Sequence, residues 1–257
     1  MESHHIIVIL ILIVFVAYVT YNIIYPSVNA VDRLKVKTSL TDKTLILESD
    51  ETQKVLLGSS GSTVMGFVFI EGGDKTANYK QAYTPLFYVD QNWYLEVAPA
   101  PPGKKETSTR LRVRTNHGGQ TVDEHIDVPP LPRQKWVFIS ILRDGRRFDV
   151  MYDNKIVASH RMQNYPAIVS SPLMVGNKGF IGSVIHVITE GKRLSPSDVS
   201  RIRDKYVDTN GTVLEGNTFN LSLPTLAFLG QCPSGLPCNP VTKPPGNNLF
   251  SWSTPYA

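Results

Sequence analysis

The sequence predicts an all-β fold, two antiparallel sheets packed face to face, and three observations predict it. Short runs rich in β-branched and aromatic residues recur at close spacing, separated by Gly- and Pro-rich turns. The block Lys135 to His160, KWVFISILRDGRRFDVMYDNKIVASH, reads as three strands joined by two tight turns. Helical periodicity is nearly absent outside the N-terminus and one short stretch after Ser195. The central block is the most informative. From Trp136 to Leu142, apolar side chains fall on both parities: Trp136, Phe138 and Leu142 on one, Val137, Ile139 and Ile141 on the other. A strand apolar on both faces is covered on both faces. Asp144-Gly145 marks the first turn, where positive φ is needed. Phe148, Val150 and Tyr152 then alternate, Asp153-Asn154-Lys155 turns, and Ile156 to His160 runs back.

The remaining elements follow in order. After a short N-terminus, residues 1–5, Ile6 to Tyr25 is a run of twenty residues without a charge. At the helical rise it spans roughly 30 Å, the thickness of a bilayer's hydrocarbon core. Ile6, Leu10 and Phe15 supply apolar surface, and Tyr18, Tyr21 and Tyr25 sit toward one end as interfacial aromatics do. Pro26 stops the helix. A cleaved signal peptide ending at Val28-x-Ala30 is the rival; a positively charged start is missing and the run exceeds the usual ~7–15 residues. Arg33, Lys35 and Lys37 follow the span, so the positive-inside rule places the C-terminal domain on the cytoplasmic side.

Residues 26–43 read as a stalk and 44–208 as the sandwich. Leu45-Ile46-Leu47 and Val55-Leu56-Leu57 read as early strands, and Val64 to Ile70 as a strong one. Leu86 to Val89 pairs with Trp93 to Val97, and Arg110 to Thr115 with Thr121 to Val128 across Asn116-His117-Gly118-Gly119. Val128-Pro129-Pro130-Leu131-Pro132 leads into the tryptophan strand. Ser195 is a good N-cap, Pro196 suits the first helical position, and Asp198 lies near the positive dipole end. Val199, Ile202 and Tyr206 form that helix's apolar stripe. Residues 209–257 differ: they hold seven of the eighteen prolines, yet keep Phe219, Leu226, Phe228, Phe250, Trp252 and Tyr256. Such anchors without a period suit an extended arm that docks on neighbouring proteins, the alternative being a flexible tail.

The strings FDVMYDNKIVASH and LMVGNKGFIGSVIHVITEGKRLSPSDVSRI carry a resemblance. A Trp-led strand, a strand ending in Tyr, a short turn, Gly176 after a short strand, and Leu194-Ser195 before a closing helix together resemble a concanavalin A-like, laminin-G-like jelly roll, over about Thr41 to Tyr206. Laminin-G-like domains often bind sulfated sugars through basic patches. Two groups here suit that expectation. Arg110, Arg112 and Arg114 share one strand face, and Arg143, Arg146 and Arg147 crowd one turn. Lipid headgroups, acidic glycans or an acidic protein are the partners such cations fit, and an ordinary solvated face is the bland alternative. Interleaved aromatics of the kind that stack on single-stranded nucleic acid are missing, and a net charge of +4 is too weak to imply nucleic acid.

Catalytic signals are weak. Asp123, His125 and Asp127 share one face and are metal-ligand types, but the loop ligands a metal would also need are not identifiable, and a solvated outer face is the preferred reading. Glycosidases on this fold resemble one another in an E-x-D-x-x-E strand; the nearest string here, Glu124 to Asp127, lacks the second glutamate. No nucleophile elbow, phosphate loop or zinc helix occurs. No cofactor is implied. Cys232 and Cys238 flank five residues and suit a disulfide in an oxidising compartment or free thiols in a reducing one. Asn210-Gly-Thr212 and Asn220-Leu-Ser222 match the glycosylation sequon. The expected function is therefore a non-enzymatic, single-span structural protein linking a bilayer to a protein layer. Its plan resembles minor capsid proteins of large DNA viruses with an internal membrane, which would place it at a virion's membrane–capsid interface. The alternative is a membrane-anchored or secreted lectin.

Overall fold

The computed structural model describes residues 10–20, 30–58, 61–71, 83–98 and 103–215. Two antiparallel sheets form a jelly-roll-like sandwich with one short C-terminal helix. One sheet runs β1 (Val31–Leu34), β14 (Gly182–Glu190), β4 (Gly61–Ile70), β9 (Trp136–Asp144), β10 (Arg147–Tyr152), β11 (Lys155–Arg161), with β2 (Thr38–Ser39) also on β14. The other runs β12 (Tyr165–Pro166), β7 (Glu106–His117), β6 (Trp93–Val97), β5 (Thr84–Val89), β13 (Leu173–Val175), β3 (Thr44–Leu47), with β8 (Gln120–Pro132) on the far side of β7.

The two parities of β9 explain the layering. Val137, Ile139 and Ile141 point between the sheets, where they meet Val64, Val68 and Val150 of their own sheet and Phe87, Leu95, Leu111 and Val113 of the other. Phe138 and Leu142 point the opposite way, into a second apolar layer with Met65, Phe67, Met151, Ile185 and Ile188. That layer is roofed by helix α3 (Pro196–Asp204) through Val199 and Ile202, and by Val207 and Val213 beyond it. Phe67 and Phe138 lie at its centre, ring centroids 4.5 Å apart. Helix α3 begins as its sequence dictates: Ser195 Oγ accepts from the Asp198 amide at 3.1 Å, and Pro196 occupies the first turn.

Three expectations are corrected. Residues 31–34 and 38–39, read as stalk, are strands hydrogen-bonded to β14; polar side chains such as Asp32 and Arg33 hid an edge position held by backbone bonds. Val55-Leu56-Leu57, read as a strand, is the end of a helical stretch: α2 (Ser49–Thr52) continues as a wide turn over Gln53–Leu57 and buries Leu56 and Leu57. The proline run after Val128 is not a lead-in but the end of β8, with Thr107 opposite Leu131. Among the described strands β8 pairs only with β7, which leaves it one free edge, where a proline's missing amide hydrogen costs no ladder bond. Tyr152 Oη donates to Pro129 O at 3.0 Å and ties the sheets there.

The helix α1 is described over residues 10–20, with Leu10, Phe15 and Tyr18 exposed. Among the described residues no helix is long and apolar enough to cross a membrane. Ile6, Tyr21 and Tyr25 of the expected span lie outside the described residues. So do Cys232, Cys238 and the arm residues Phe219, Leu226, Phe228, Phe250, Trp252 and Tyr256.

Candidate anion-binding cleft

The two arginine groups meet different fates. On β7, alternation puts Arg110, Arg112 and Arg114 on the outer face of the second sheet. The neighbouring strands answer each of them with a carboxylate. Glu96 of β6, 3% exposed, takes Arg110 and Arg112, each at 2.8 Å. Asp123 of β8 takes Arg112 at 3.1 Å and Arg114 at 3.2 Å. Asp127 stands opposite Arg110 in register. Arg112 lies 3.9 Å over the Tyr94 ring, and Arg110 3.9 Å over Tyr83. Three cations and three carboxylates share this ladder, so it carries no net formal charge. Asp123, His125 and Asp127 do share one exposed face, and the arginines opposite explain its acids; among the described residues no group of three metal-ligating side chains gathers.

At the β9–β10 turn the three arginines part company. Arg143 is not a surface cation. It is 8% exposed and donates from Nη1 to Leu56 O at 2.9 Å, holding the wide turn after α2; burial pushes its pKa down. Arg146 and Arg147 instead line an open cleft of about 540 Å³ with Asp144, Gly145, Ser159, His160, Arg161 and Tyr165. The antiparallel register brings these together: Arg147 pairs with Arg161 across β10 and β11, and with Asp144 across the turn. Gly145 provides the positive φ, 57°, that the tight turn requires.

Asp149 stands at the back of the cleft, 1% exposed. It accepts from Arg147 Nε at 3.0 Å, Ser159 Oγ at 2.6 Å and Arg193 Nη2 at 2.6 Å. Burial alone would raise its pKa; the bonds from Ser159, Arg193 and Arg147 outweigh it and hold the carboxyl below its usual value. Arg146 donates from Nη1 to Gln163 O at 2.9 Å and lies 5.1 Å over the Tyr165 ring. Arg161 is exposed, and its side chain makes no hydrogen bond or ion pair among the described residues. Three arginines, Arg146, Arg147 and Arg161, thus line the cleft with one carboxylate, Asp144, while Arg193 and Asp149 pair with each other outside its lining. The cleft is cationic where the ladder is balanced. Planar guanidinium forks with spare donors suit carboxylate, sulfate or phosphate, and Tyr165, 68% exposed, offers an aromatic face beside them.

His160, Arg161 and Tyr165 escaped the sequence reading. The signal was only partly present: counting back from the Asp153-Asn154 turn sets His160 opposite Arg147, and a bulge between Val150 and Met151 shifts the pairing by one residue to Arg161.

The fold and cleft define a two-sheet β-sandwich with an arginine-lined surface site. No family model and no curated protein matches the sequence. Among solved structures, the chain is similar to the receptor binding domain of botulinum neurotoxin C/D mosaic serotype, at 15% identity and TM-score 0.47 over 69% of this chain and 45% of that one. It is also similar to the binding domain of Paraclostridial Mosquitocidal Protein 1, at 10% identity and TM-score 0.48 over 69% and 47%. A third is the Ruminococcus gnavus IT-sialidase CBM40 bound to alpha2,3 sialyllactose, at 13% identity and TM-score 0.43 over 66% and 98%. The chain spans about half the length of the two toxin domains.

Proposed function

We propose that this protein is a non-enzymatic recognition module that binds an acidic glycan in the β9–β10 cleft, its concanavalin A-like sandwich held at a bilayer by the N-terminal apolar helix. The observation that carries the reading is the excess of guanidinium over carboxylate in the cleft, with Arg161 unengaged. The Ser159 hydroxyl in the cleft wall donates to Asp149 at 2.6 Å and so helps to fix the wall. Sulfate or carboxylate on a sugar would sit between Arg146 and Arg161, with a pyranose face against Tyr165.

The test is a panel of sulfated, sialylated and uronic oligosaccharides titrated against the full chain in nanodiscs. Binding is expected to fall about tenfold in Arg161→Ala and in Arg146→Ala, one lost charge-assisted bond each, and to weaken with salt. Indifference of all glycans, or binding untouched by both variants, refutes it. A glycan role requires the sandwich to face away from the cytoplasm, against the charge bias after the span. Occupancy of the Asn210 sequon, exposed in its turn, reads that sidedness directly.

A second reading rests on the exposed apolar residues of α1. Here the sandwich links that bilayer to a neighbouring protein layer, such as a viral capsid, with the cleft gripping acidic side chains and the C-terminal arm docking alongside. Cross-linking in the native assembly separates the two: protein cross-links from Arg161-side residues, with unoccupied sequons, favour the linker.

A further inference from the structure

β14 contains an anomaly that neither the sequence reading nor the cleft explains. Its register against β4 shifts between Ile185 and Ile188, and His186 sits in that bulge at φ 52°, 1% exposed. A bulge re-aims one side chain, and here it turns an imidazole into the apolar layer outside the sheet. Both ring nitrogens meet acceptors. Nδ1 lies 2.8 Å from Asp32 Oδ2 of β1, and Nε2 lies 2.7 Å from Leu214 O. A carbonyl oxygen has no proton to give, and an ionised carboxylate has none either. Both bonds therefore need both ring nitrogens protonated. Asp32 belongs to the strand by which the chain comes into the sandwich. Leu214 belongs to the segment by which it goes out.

We infer that His186 is a proton-operated clasp: as imidazolium it binds the incoming strand to the outgoing segment, and on losing a proton it releases the outgoing one. The neutral ring would keep the N–H that faces the Asp32 carboxylate. Its other nitrogen would then present a lone pair to Leu214 O at 2.7 Å, which is repulsive. The outgoing segment is otherwise lightly held. Val213 and Val207 pair by one bridge and pack on the outer apolar layer, and Leu214 N donates to Tyr206 O at 2.9 Å. An exposed Lys37–Glu215 ion pair at 3.2 Å joins the same two stretches.

The surroundings of the ring favour its charge. Asp32 faces it from β1, the Tyr206 ring from beyond α3 at 4.3 Å, and the Phe67 ring from β4 at 6.3 Å. Burial works to lower the pKa of His186, but the bonds to Asp32 and Leu214 prevail and raise it above the ordinary value. The contribution of the clasp is thus complete below the unfolded histidine value near ~6.5 and is lost as pH rises through the folded value. The outgoing segment is held in acid and freed toward alkaline pH.

Hydrogen exchange of the full chain in nanodiscs reads the clasp at the Leu214 amide, with the Val199 amide of α3 as control. Between about pH 6.5 and the folded pKa, protection of Leu214 should fall about tenfold per pH unit beyond the intrinsic rate, with Val199 flat. His186→Gln, which keeps one donor and does not titrate, should flatten the Leu214 profile; glutamine already tolerates positive φ here at Gln91 and Gln134. Asp32→Asn should move the fall to lower pH. Nitrogen-15 shifts of the labelled ring should show two protonated nitrogens at about pH 6. A singly protonated ring at that pH, or Leu214 protection unchanged across the window in the native chain, overturns the inference.

Discussion

Replacing Asp149 by asparagine tests how the cleft is held up from behind. The carboxylate is buried and accepts from Arg147, Ser159 and Arg193. Asparagine keeps the shape but one oxygen becomes an amide nitrogen, which must face at least one of these donors. Breaking a buried ion pair costs about 3–5 kcal/mol. Part of that is recovered, because the Arg147 and Arg193 side chains are 52% and 28% exposed and can turn to water. The expected loss is about 2–3 kcal/mol at neutral pH. Because the folded carboxyl is held below its usual value, its contribution is present above about pH 3.9 and is lost as pH falls through the folded value. The gap between native chain and variant should therefore close in strong acid. Urea unfolding of the full chain in detergent, followed by tryptophan fluorescence at about pH 7 and about pH 3, measures both quantities. A loss below about 0.5 kcal/mol at neutral pH, within the range of an ordinary surface change, or a gap that ignores acid, would refute the reasoning.

Two further substitutions probe the scaffold. Phe138→Ala empties the middle of the layer beneath α3 and should cost about 3–5 kcal/mol; faster amide exchange in α3 than in β7 would show that the roof loosens first. Gly176→Ala should lower the melting temperature by more than the left-handed conformation alone explains, about 1–2 kcal/mol. Gly176 has φ 83°, and a Cβ there would lie 2.5 Å from Asp42 O and 2.7 Å from Leu40 O. Differential scanning calorimetry checks it.

The sandwich was legible because burial on two faces leaves a mark on both parities of a strand, and β9 carries it plainly. Helix α3 was legible because Ser195, Pro196 and Asp198 are local signals that need no partner. Strands β1 and β2 left no such mark. Their place is fixed by backbone bonds to β14, and Asp32 and Arg33 read as loop. Val55-Leu56-Leu57 is too short for its period to separate strand from helix, and the deciding residues, Ser49 to Thr52, lie before it. The arginines were found but not sorted. Isolated on β7, Arg110, Arg112 and Arg114 read as a positive stripe; only the register across Gly118-Gly119 sets Asp123 and Asp127 against them, and only the β6–β7 pairing brings Glu96. Arg143 and Arg146 stand three residues apart, yet one is buried under Leu56 and the other half-buried in the cleft wall, a difference made by a helix that the sequence hid.

The position of β14 has a mechanical consequence. The chain arrives on β1 and departs past Leu214, and both are fastened to the same strand. A pull applied between the two points would load the β1–β14 bonds and the imidazole, together with the Val207–Val213 bridge and the Leu214–Tyr206 bond. The lining of the cleft, Asp144 to Arg147 with Ser159 to Arg161 and Tyr165, belongs to neither of the two fastening points.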